Sequence, residues 1–287
     1  MCVCVCVGII RVQPLTPIYE AEVERLRTQA AATPKPPAWG SFCSEVPELG
    51  RKIWVAQCCS GVDAGDAEHA LGLQIEAVNV YDIEARYEDA MKELMLLYHN
   101  SSSTMHFGPK QGDMCLVPLQ NLVGDVHLLK GGPPCPPWAG NGSKKGQADA
   151  RAHVFIQALR WLIFFLAKHG LVAVLLENVR GVLQCIDGMT PFFELVLNML
   201  RSLIPEFNWR HDTMQAEDYK LPQQRCRVLL RGLDKRCCPD MVPPPLPPFG
   251  SGDLRNFLAL GLENTNLSKL TKGMKNNLVW FQRQVKP

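Results

Sequence analysis

Between residues 52 and 232, short apolar runs alternate with longer segments whose apolar residues recur at helical spacing. The apolar runs cover residues 52–59, 74–83, 125–132, 171–179 and 226–232, and the helical segments cover residues 84–100, 150–170 and 190–204. Strands that alternate with helices of this length form mostly parallel sheets, because each crossover between parallel strands needs a dozen residues or more. The pattern therefore predicts an α/β fold with a doubly wound, mostly parallel sheet.

The same pattern divides the chain into three parts. The central domain is predicted to span residues 51–233. Residues 1–50 are predicted to be an N-terminal extension and linker, with one short amphipathic helix near residues 18–31. Residues 234–287 contain the sequence "CCPDMVPPPLPPFGSGD" and are predicted to be a proline-rich linker followed by a short C-terminal tail.

Polar residues follow most of the predicted strands at the point where each strand ends. They are Ser60, Gly61, Asp82, Asp113, Cys135, Glu177 and Asn178. The carboxyl ends of parallel strands share one edge of a sheet, and open α/β sheets bind their ligands there. The sequence therefore predicts that these residues line one ligand site.

The loop "GGPPCPPWAG" places Cys135 among prolines and glycines. One interpretation is a proline-rich surface turn that contains an incidental cysteine. The other is a nucleophile that a stiff loop presents at the end of a strand, since proline fixes the backbone and glycine allows close approach.

Charge and cysteine spacing exclude several classes of protein. The net charge is only +2, so nucleic-acid binding has to come from local patches and not from a general basic surface. The 12 cysteines form no C-x-x-C pair and no cluster at zinc-ligand spacing, so no metal site is predicted. Cysteines inside strand-like apolar runs are typical of reduced thiols in an intracellular protein, and no apolar run is long enough to span a membrane.

Several motifs together resemble those of the C5-cytosine DNA methyltransferase family. "GGPPCPPWAG" resembles the nucleophile loop of that family, "ENVRGVL" its Glu-Asn-Val motif and "LPQQRCRVLLRG" its Gln-x-Arg-x-Arg motif. Upstream, "CCSGVDAGDAEHALGL" resembles the cofactor loop, "YDIE" the ribose-binding segment and "GDM" the adenine-binding turn. The motifs occur in the family's order, and Asp149 and Arg151 fall where the family has an Asp-x-Arg step.

The resemblance implies a catalytic role for four residues. Cys135 would be the thiolate that adds to carbon 6 of cytosine, because carbon 5 is a poor nucleophile until such an addition. Glu177 would bind the ring nitrogen as charge develops there. Arg227 would hold the cytosine oxygen with its planar fork, and Arg225 would face the backbone or the catalytic loop.

The resemblance also implies S-adenosylmethionine as cofactor and a Rossmann-like fold of the kind found in methyltransferases that use it. Ser60 and Gly61 would lie against its methionine part, with Pro133 and Asn178 as further contacts. Asp82, rather than Glu84, would accept hydrogen bonds from the ribose hydroxyls. Asp113 would accept one from the adenine amine. A nicotinamide cofactor is disfavoured because the spaced G-x-G-x-x-G fingerprint is absent.

The basic loop "GNGSKKGQAD" after the nucleophile is interpreted in two ways. It is either a mobile loop that closes over an extruded base with Lys144 and Lys145 near phosphates, or an ordinary solvated loop. The expected partner is DNA, RNA being an alternative, and the location would be intracellular, nuclear in a eukaryote. Neither target sequence nor oligomeric state follows from the sequence.

The chain departs from the family pattern at several points. Cys59 stands where the family has an aromatic residue, Asp63 and Ala64 replace a Gly-Gly pair, and Pro136 replaces a glutamine. A target-recognition domain and the last Gly-Asn motif of the family are not found after Gly232. Three functions follow as hypotheses: a DNA cytosine methyltransferase, an RNA cytosine methyltransferase, and a non-catalytic remnant or interaction module that keeps the fold.

Overall fold

A computed structural model describes residues 52–236, apart from 62, 64–67, 69–72, 100–103, 125, 169, 186–189 and 219–224. The predicted N-terminal extension with its helix and the proline-rich tail lie outside these residues. Within them the chain divides into two compact units: residues 52–211 with 229–236, and residues 212–218 with 225–228. The predicted three-part division of the chain stays a prediction.

Seven described strands form one sheet. They are β1 (Lys52–Cys58), β2 (Gln74–Asp82), β3 (Met105–Phe107), β4 (Leu128–Gly131), β5 (Ala173–Val179), β6 (Phe207–Gln215) and β7 (Cys226–Asp234). The strand order is β3-β2-β1-β4-β5-β7-β6, and every pair from β3 to β5 is parallel. The chain thus moves outward from β1 to one edge and then crosses to the other side, which makes β1 and β4 the switch point of a doubly wound sheet.

Three described α-helices alternate with these strands. They are α1 (Glu88–His99), α2 (Ala152–Ala167) and α3 (Phe192–Leu203). Each lies inside a predicted helical segment, and α1 follows one short 3-10 helix, Ala85–Tyr87. The predicted mostly parallel α/β fold is therefore confirmed. Among the described residues, no helix has the length and apolar character that crossing a membrane requires.

The last two strands depart from the parallel pattern. In the first unit the Asp234 N–H at the end of β7 donates to the Val172 carbonyl just before β5, at 2.9 Å. β7 is therefore antiparallel to β5. In the second unit the Ala216 N–H, just after β6, donates to the Arg225 carbonyl, just before β7, at 3.0 Å. β6 and β7, which are neighbours in the sheet, thus form an antiparallel pair.

Two strands were not predicted. β3 has only three residues, too few to show any periodicity. β6 has the sequence FNWRHDTMQ, in which only the first half alternates between buried apolar and more exposed polar side chains. A strand with so little apolar surface gives a weak period-2 signal.

The core packs both faces of the sheet. On one face Val55, Ile75 and Val80 contact Met91 and Met95 of α1, and all five side chains are fully buried. On the other face, the Tyr81 ring meets the Trp161 ring of α2 edge to face, with centroids 5.2 Å apart. Because this packing fixes the strands rigidly, the loops at their carboxyl ends start from defined positions.

Candidate functional site

The loop after β4 holds Cys135 in a tight turn. The Trp138 and Ala139 N–H groups both donate to the Cys135 carbonyl, at 3.0 and 2.9 Å. The Cys135 Sγ lies 3.9 Å from the Pro133 carbonyl oxygen, and the side chain is half-buried. The thiol is therefore presented from a hydrogen-bonded turn, which is the arrangement that a fixed nucleophile needs.

Asn178 connects this loop to β5. Its side chain is fully buried, and its Nδ2 donates to the Pro133 carbonyl at 3.1 Å. Its Oδ1 accepts from the Val179 N–H at 2.9 Å. Both ends of the amide thus bond to backbone, and one of them fixes the loop two residues before Cys135. This loop-holding contact was not predicted; cofactor contacts of Asn178 and Pro133 stay predictions.

Glu177 lies at the base of the same loop. A Cβ atom placed on Gly132 would come within 3.3 Å of Glu177 Oε2. Gly132 and Glu177 lie close together because of the strand register, in which Gly131 at the end of β4 pairs with Leu176 in β5. The structure therefore brings the predicted acid close to the chain that leads to Cys135.

Trp138 anchors the far side of the loop and was missed from the sequence. Its ring is 4% exposed and stacks on Phe192 of α3, with centroids 4.9 Å apart. A Cβ on Gly181 would lie 1.9 Å from the Trp138 carbonyl, so only glycine allows the Glu-Asn-Val segment to approach so closely. The sequence feature that could have indicated this anchor is a large aromatic residue inside a loop of prolines and glycines.

The cofactor side of the candidate site centres on Asp82. Its carboxylate is 7% exposed and accepts from the Gly61 N–H at 2.7 Å and the Glu84 N–H at 2.8 Å. Gly61 adopts the left-handed conformation, with φ of 58°, which suits glycine. Asp82 is thus joined to the predicted methionine-binding segment. Glu84, by contrast, is exposed and pairs with Arg86 at 3.2 Å.

Asp113 lies on the same side and caps a short 3-10 helix, accepting from the Cys115 N–H at 2.9 Å. Burial raises the pKa of the Cys59 thiol well above its ordinary value, and the charges of Asp82 and Asp113 raise it further. Burial and Asp113 also raise the pKa of Cys115 to about 11. The charges of two predicted cofactor acids therefore act on one thiol, Cys59, just after β1.

The residues here suit a ligand that forms hydrogen bonds. Ser60 is 8% exposed, and its Oγ is buried without a hydrogen-bond partner in the described part of the chain. Beside it, a Cβ on Gly61 would meet nothing within 4 Å. An unsatisfied buried hydroxyl next to open space is a place where a polar ligand gains affinity.

The loop after Cys135 is tied down at its end. Asp149 accepts hydrogen bonds from the Ser143 hydroxyl and from Arg151, whose Nε and Nη2 lie 2.9 and 2.7 Å from the carboxylate. Hydrogen bonds from Arg151, then Ser143, hold the pKa of Asp149 well below its usual range. Lys144 and Lys145 are exposed. Asp149 thus links the end of this loop to Ser143 within it. The movement of the loop over DNA stays a prediction.

The two predicted arginines belong to the second unit. Arg225 is exposed, and its carbonyl accepts the N–H of Ala216. Arg227 is half-buried, and its Nη1 donates to the Cys226 carbonyl at 2.9 Å. Their roles toward cytosine stay predictions. Over the described ranges, no three His, Cys, Asp or Glu side chains form a group that could hold a metal ion.

Comparison with known proteins identifies one family. Residues 76–271, more than half of the chain, match the family described as C-5 cytosine-specific DNA methylase. The chain is 33% identical over 113 residues to the Type II methyltransferase M.BsuFI of Bacillus subtilis, covering 39% of this chain and 26% of that protein. It is 27% identical over 187 residues to the Type II methyltransferase M.NgoPII of Neisseria gonorrhoeae, covering 62% of this chain and 46% of that protein.

Among solved structures, the Entamoeba histolytica methyltransferase EhMeth superposes with a TM-score of 0.51 and 15% identity, covering 72% of this chain and 60% of that one. At this identity the similarity concerns the fold alone, which is that of a methyltransferase. The chain spans a quarter to a half of the two curated relatives, so their full activities do not transfer to it directly.

Proposed function

Because the chain belongs to the C-5 cytosine-specific DNA methylase family, we propose that it transfers a methyl group from S-adenosylmethionine to carbon 5 of cytosine in DNA. The observation that carries the proposal is the loop around Cys135. Three contacts support the proposal: the turn at Cys135, the bond from Asn178 to this loop, and the closeness of Gly132 to Glu177. The proposed nucleophile thus follows β4, and the proposed acid lies in the neighbouring parallel strand β5. A proline-rich surface turn would need none of these buried contacts.

Cys135 begins the reaction by adding to carbon 6 of cytosine. The thiolate forms the carbon–sulfur bond, and the electron pair of the 5,6 double bond moves to carbon 5, which becomes nucleophilic. Once carbon 5 carries the methyl group and S-adenosylhomocysteine has been released, solvent water would take the carbon-5 proton. The electron pair of that carbon–hydrogen bond then restores the double bond and expels the Cys135 thiolate. The enzyme is thereby regenerated without any change of oxidation state in the protein.

Glu177 balances the charge of the ring during these steps. Addition at carbon 6 builds negative charge on the ring nitrogen, which a carboxylic acid stabilises by holding a proton on it. Arg227 would bind the cytosine oxygen with its planar guanidinium, and Arg225 would contact the nucleic-acid backbone. The target base has to be extruded from the duplex before any of these groups can reach it.

Ser60, Gly61, Asp82 and Asp113 would hold the cofactor, which supplies the methyl group when bound. The buried Ser60 hydroxyl has an unused donor, and the oxygens of Asp82 and Asp113 each have room for a second hydrogen bond. Cys59 gives this pocket less stacking surface than an aromatic residue would, so binding is expected to be weak.

The proposed partner is DNA. The protein would therefore act where the cell's DNA is located, which is the nucleus in a eukaryote. The test is methyl transfer from tritiated S-adenosylmethionine to cytosine-containing duplex DNA, with structured RNA as the second substrate. We expect the wild type to transfer label to DNA and Cys135→Ser to transfer none. Label only in RNA would make this an RNA methyltransferase, and label in neither, with cofactor bound, would make it a non-catalytic member of the family.

A further inference from the structure

Lys130 is a buried cation in the strand that leads to the nucleophile. It lies in β4, five residues before Cys135, and its side chain is 5% exposed. A lysine at this depth is rare unless it is paired, since burying an unpaired ammonium group costs much free energy. Its presence in the mostly apolar run "VHLLKGG" therefore indicates a partner from outside the sheet.

Two carboxylates supply that partner. Lys130 Nζ lies 2.9 Å from Asp63 Oδ1 and 2.9 Å from Glu68 Oε1. Glu68 is 14% exposed, whereas Asp63 is 50% exposed. Gln57, the register partner of Lys130 in β1, is 1% exposed, and its amide forms no hydrogen bond in the described part of the chain. The two acids alone hold the ammonium among the described residues.

Both acids follow the predicted cofactor contact closely. Asp63 comes two residues after Gly61, whose N–H bonds to Asp82. The charge of Asp63 is thus balanced by a lysine from β4.

We propose that Lys130 is a positioning residue: through Asp63 and Glu68, its ammonium fixes the cofactor segment onto the strand that carries the Cys135 loop. One side chain then aligns the methyl donor with the nucleophile. The proposal rests on the proposed function for the identity of the ligand, but the contact itself is independent of it. Among the described residues, the hydrogen bonds of the Lys130 ammonium go to Asp63 and Glu68, and not to Cys135 or a predicted ligand contact.

The test compares Lys130→Met and Lys130→Arg with the wild type. Without cofactor, amide hydrogen exchange of the peptide that carries Asp63 and Glu68 should rise in Lys130→Met and return toward wild type in Lys130→Arg. S-adenosylmethionine affinity, measured by calorimetry, should fall about tenfold or more in Lys130→Met, which corresponds to about 1.4 kcal/mol. Lys92→Met is the control, because it removes an exposed ion pair with Glu88. It should change neither the amide exchange of this peptide nor the affinity for S-adenosylmethionine.

Asp63→Asn keeps the test valid if Lys130→Met does not fold. Because Glu68 still pairs with Lys130 in this variant, the protein should stay folded, while exchange of the same peptide rises and cofactor binding weakens. Wild-type exchange and wild-type affinity in folded Lys130→Met, or in Asp63→Asn, would overturn the proposal. If the wild type itself binds no cofactor, the proposed function fails, while the exchange measurement on the cofactor-free protein still decides the role of Lys130.

Discussion

Replacing Asn178 by alanine tests how the nucleophile loop is held. The substitution removes the donor to the Pro133 carbonyl and the acceptor from the Val179 N–H, and both groups stay buried or half-buried. A buried group that loses its partner costs about 1–3 kcal/mol, so the two together predict a loss of about 2–6 kcal/mol in the free energy of unfolding. Urea denaturation measures this loss.

The effect on reactivity is expected to be separate from the effect on stability. With the Pro133 carbonyl released, Cys135 two residues later is held less firmly, although its turn remains. A displacement of about 1 Å lowers the rate of such a reaction by about a hundredfold. The assay is the rate at which Cys135 forms a covalent adduct with duplex DNA that contains 5-fluorocytosine, in the presence of S-adenosylmethionine.

Asn79→Ala provides the matched control. Asn79 is 2% exposed, and its side chain also donates to one backbone carbonyl and accepts from one backbone N–H, both of Val123. It should lose the same stability and keep the wild-type rate of adduct formation. Equal rates in Asn178→Ala and Asn79→Ala would refute the argument that Asn178 positions the nucleophile.

Three further predictions follow from single residues. Trp138→Ala should lower the free energy of unfolding by about 3–5 kcal/mol, since it removes a buried ring stacked on Phe192, and Trp138→Phe should lower it less. Burial raises the pKa of Cys58 to about 12, so its contribution to stability is present below pH 9 and is lost as pH rises toward 12, by about 1.4 kcal/mol per pH unit. Urea denaturation at a series of alkaline pH values should show that the free energy of unfolding falls less steeply with pH in Cys58→Ala than in the wild type. Asp82→Ala should weaken S-adenosylmethionine binding in calorimetry more than Glu84→Ala does, and the reverse order would contradict the assignment of the ribose acid.

The parallel part of the fold was predictable because its strands are rich in apolar residues, as is typical of strands that helices cover on both faces. β1, β2 and β5 each overlap a predicted run, and Gly61, Asp82 and Glu177 lie at or just after their carboxyl ends. β6 was not predicted because it needs few apolar side chains, and its antiparallel pairing with β7 depends on backbone contacts that leave no periodic pattern.

Within the candidate site, residue types indicated the chemistry but not the supporting contacts. Cys135 and Glu177 could be predicted because each is the one residue of its motif that can act as a nucleophile or as an acid. The bond from Asn178 to Pro133 joins residues 45 positions apart, and the ion pair from Lys130 to Asp63 joins residues 67 positions apart. No local pattern encodes such contacts, although a lysine inside a buried strand already indicates that a carboxylate must lie nearby.

The most direct test of the proposed chemistry is covalent capture of the reaction at Cys135. DNA with 5-fluorocytosine stalls the reaction after methyl transfer, because fluorine cannot leave as a cation and the carbon–sulfur bond persists. Mass spectrometry of the peptides from wild type and from Cys135→Ser locates the bond, with Cys185→Ser as the control for an exposed cysteine. The account predicts an adduct on Cys135 that Cys135→Ser abolishes and Cys185→Ser keeps, whereas an adduct that persists in Cys135→Ser would contradict it.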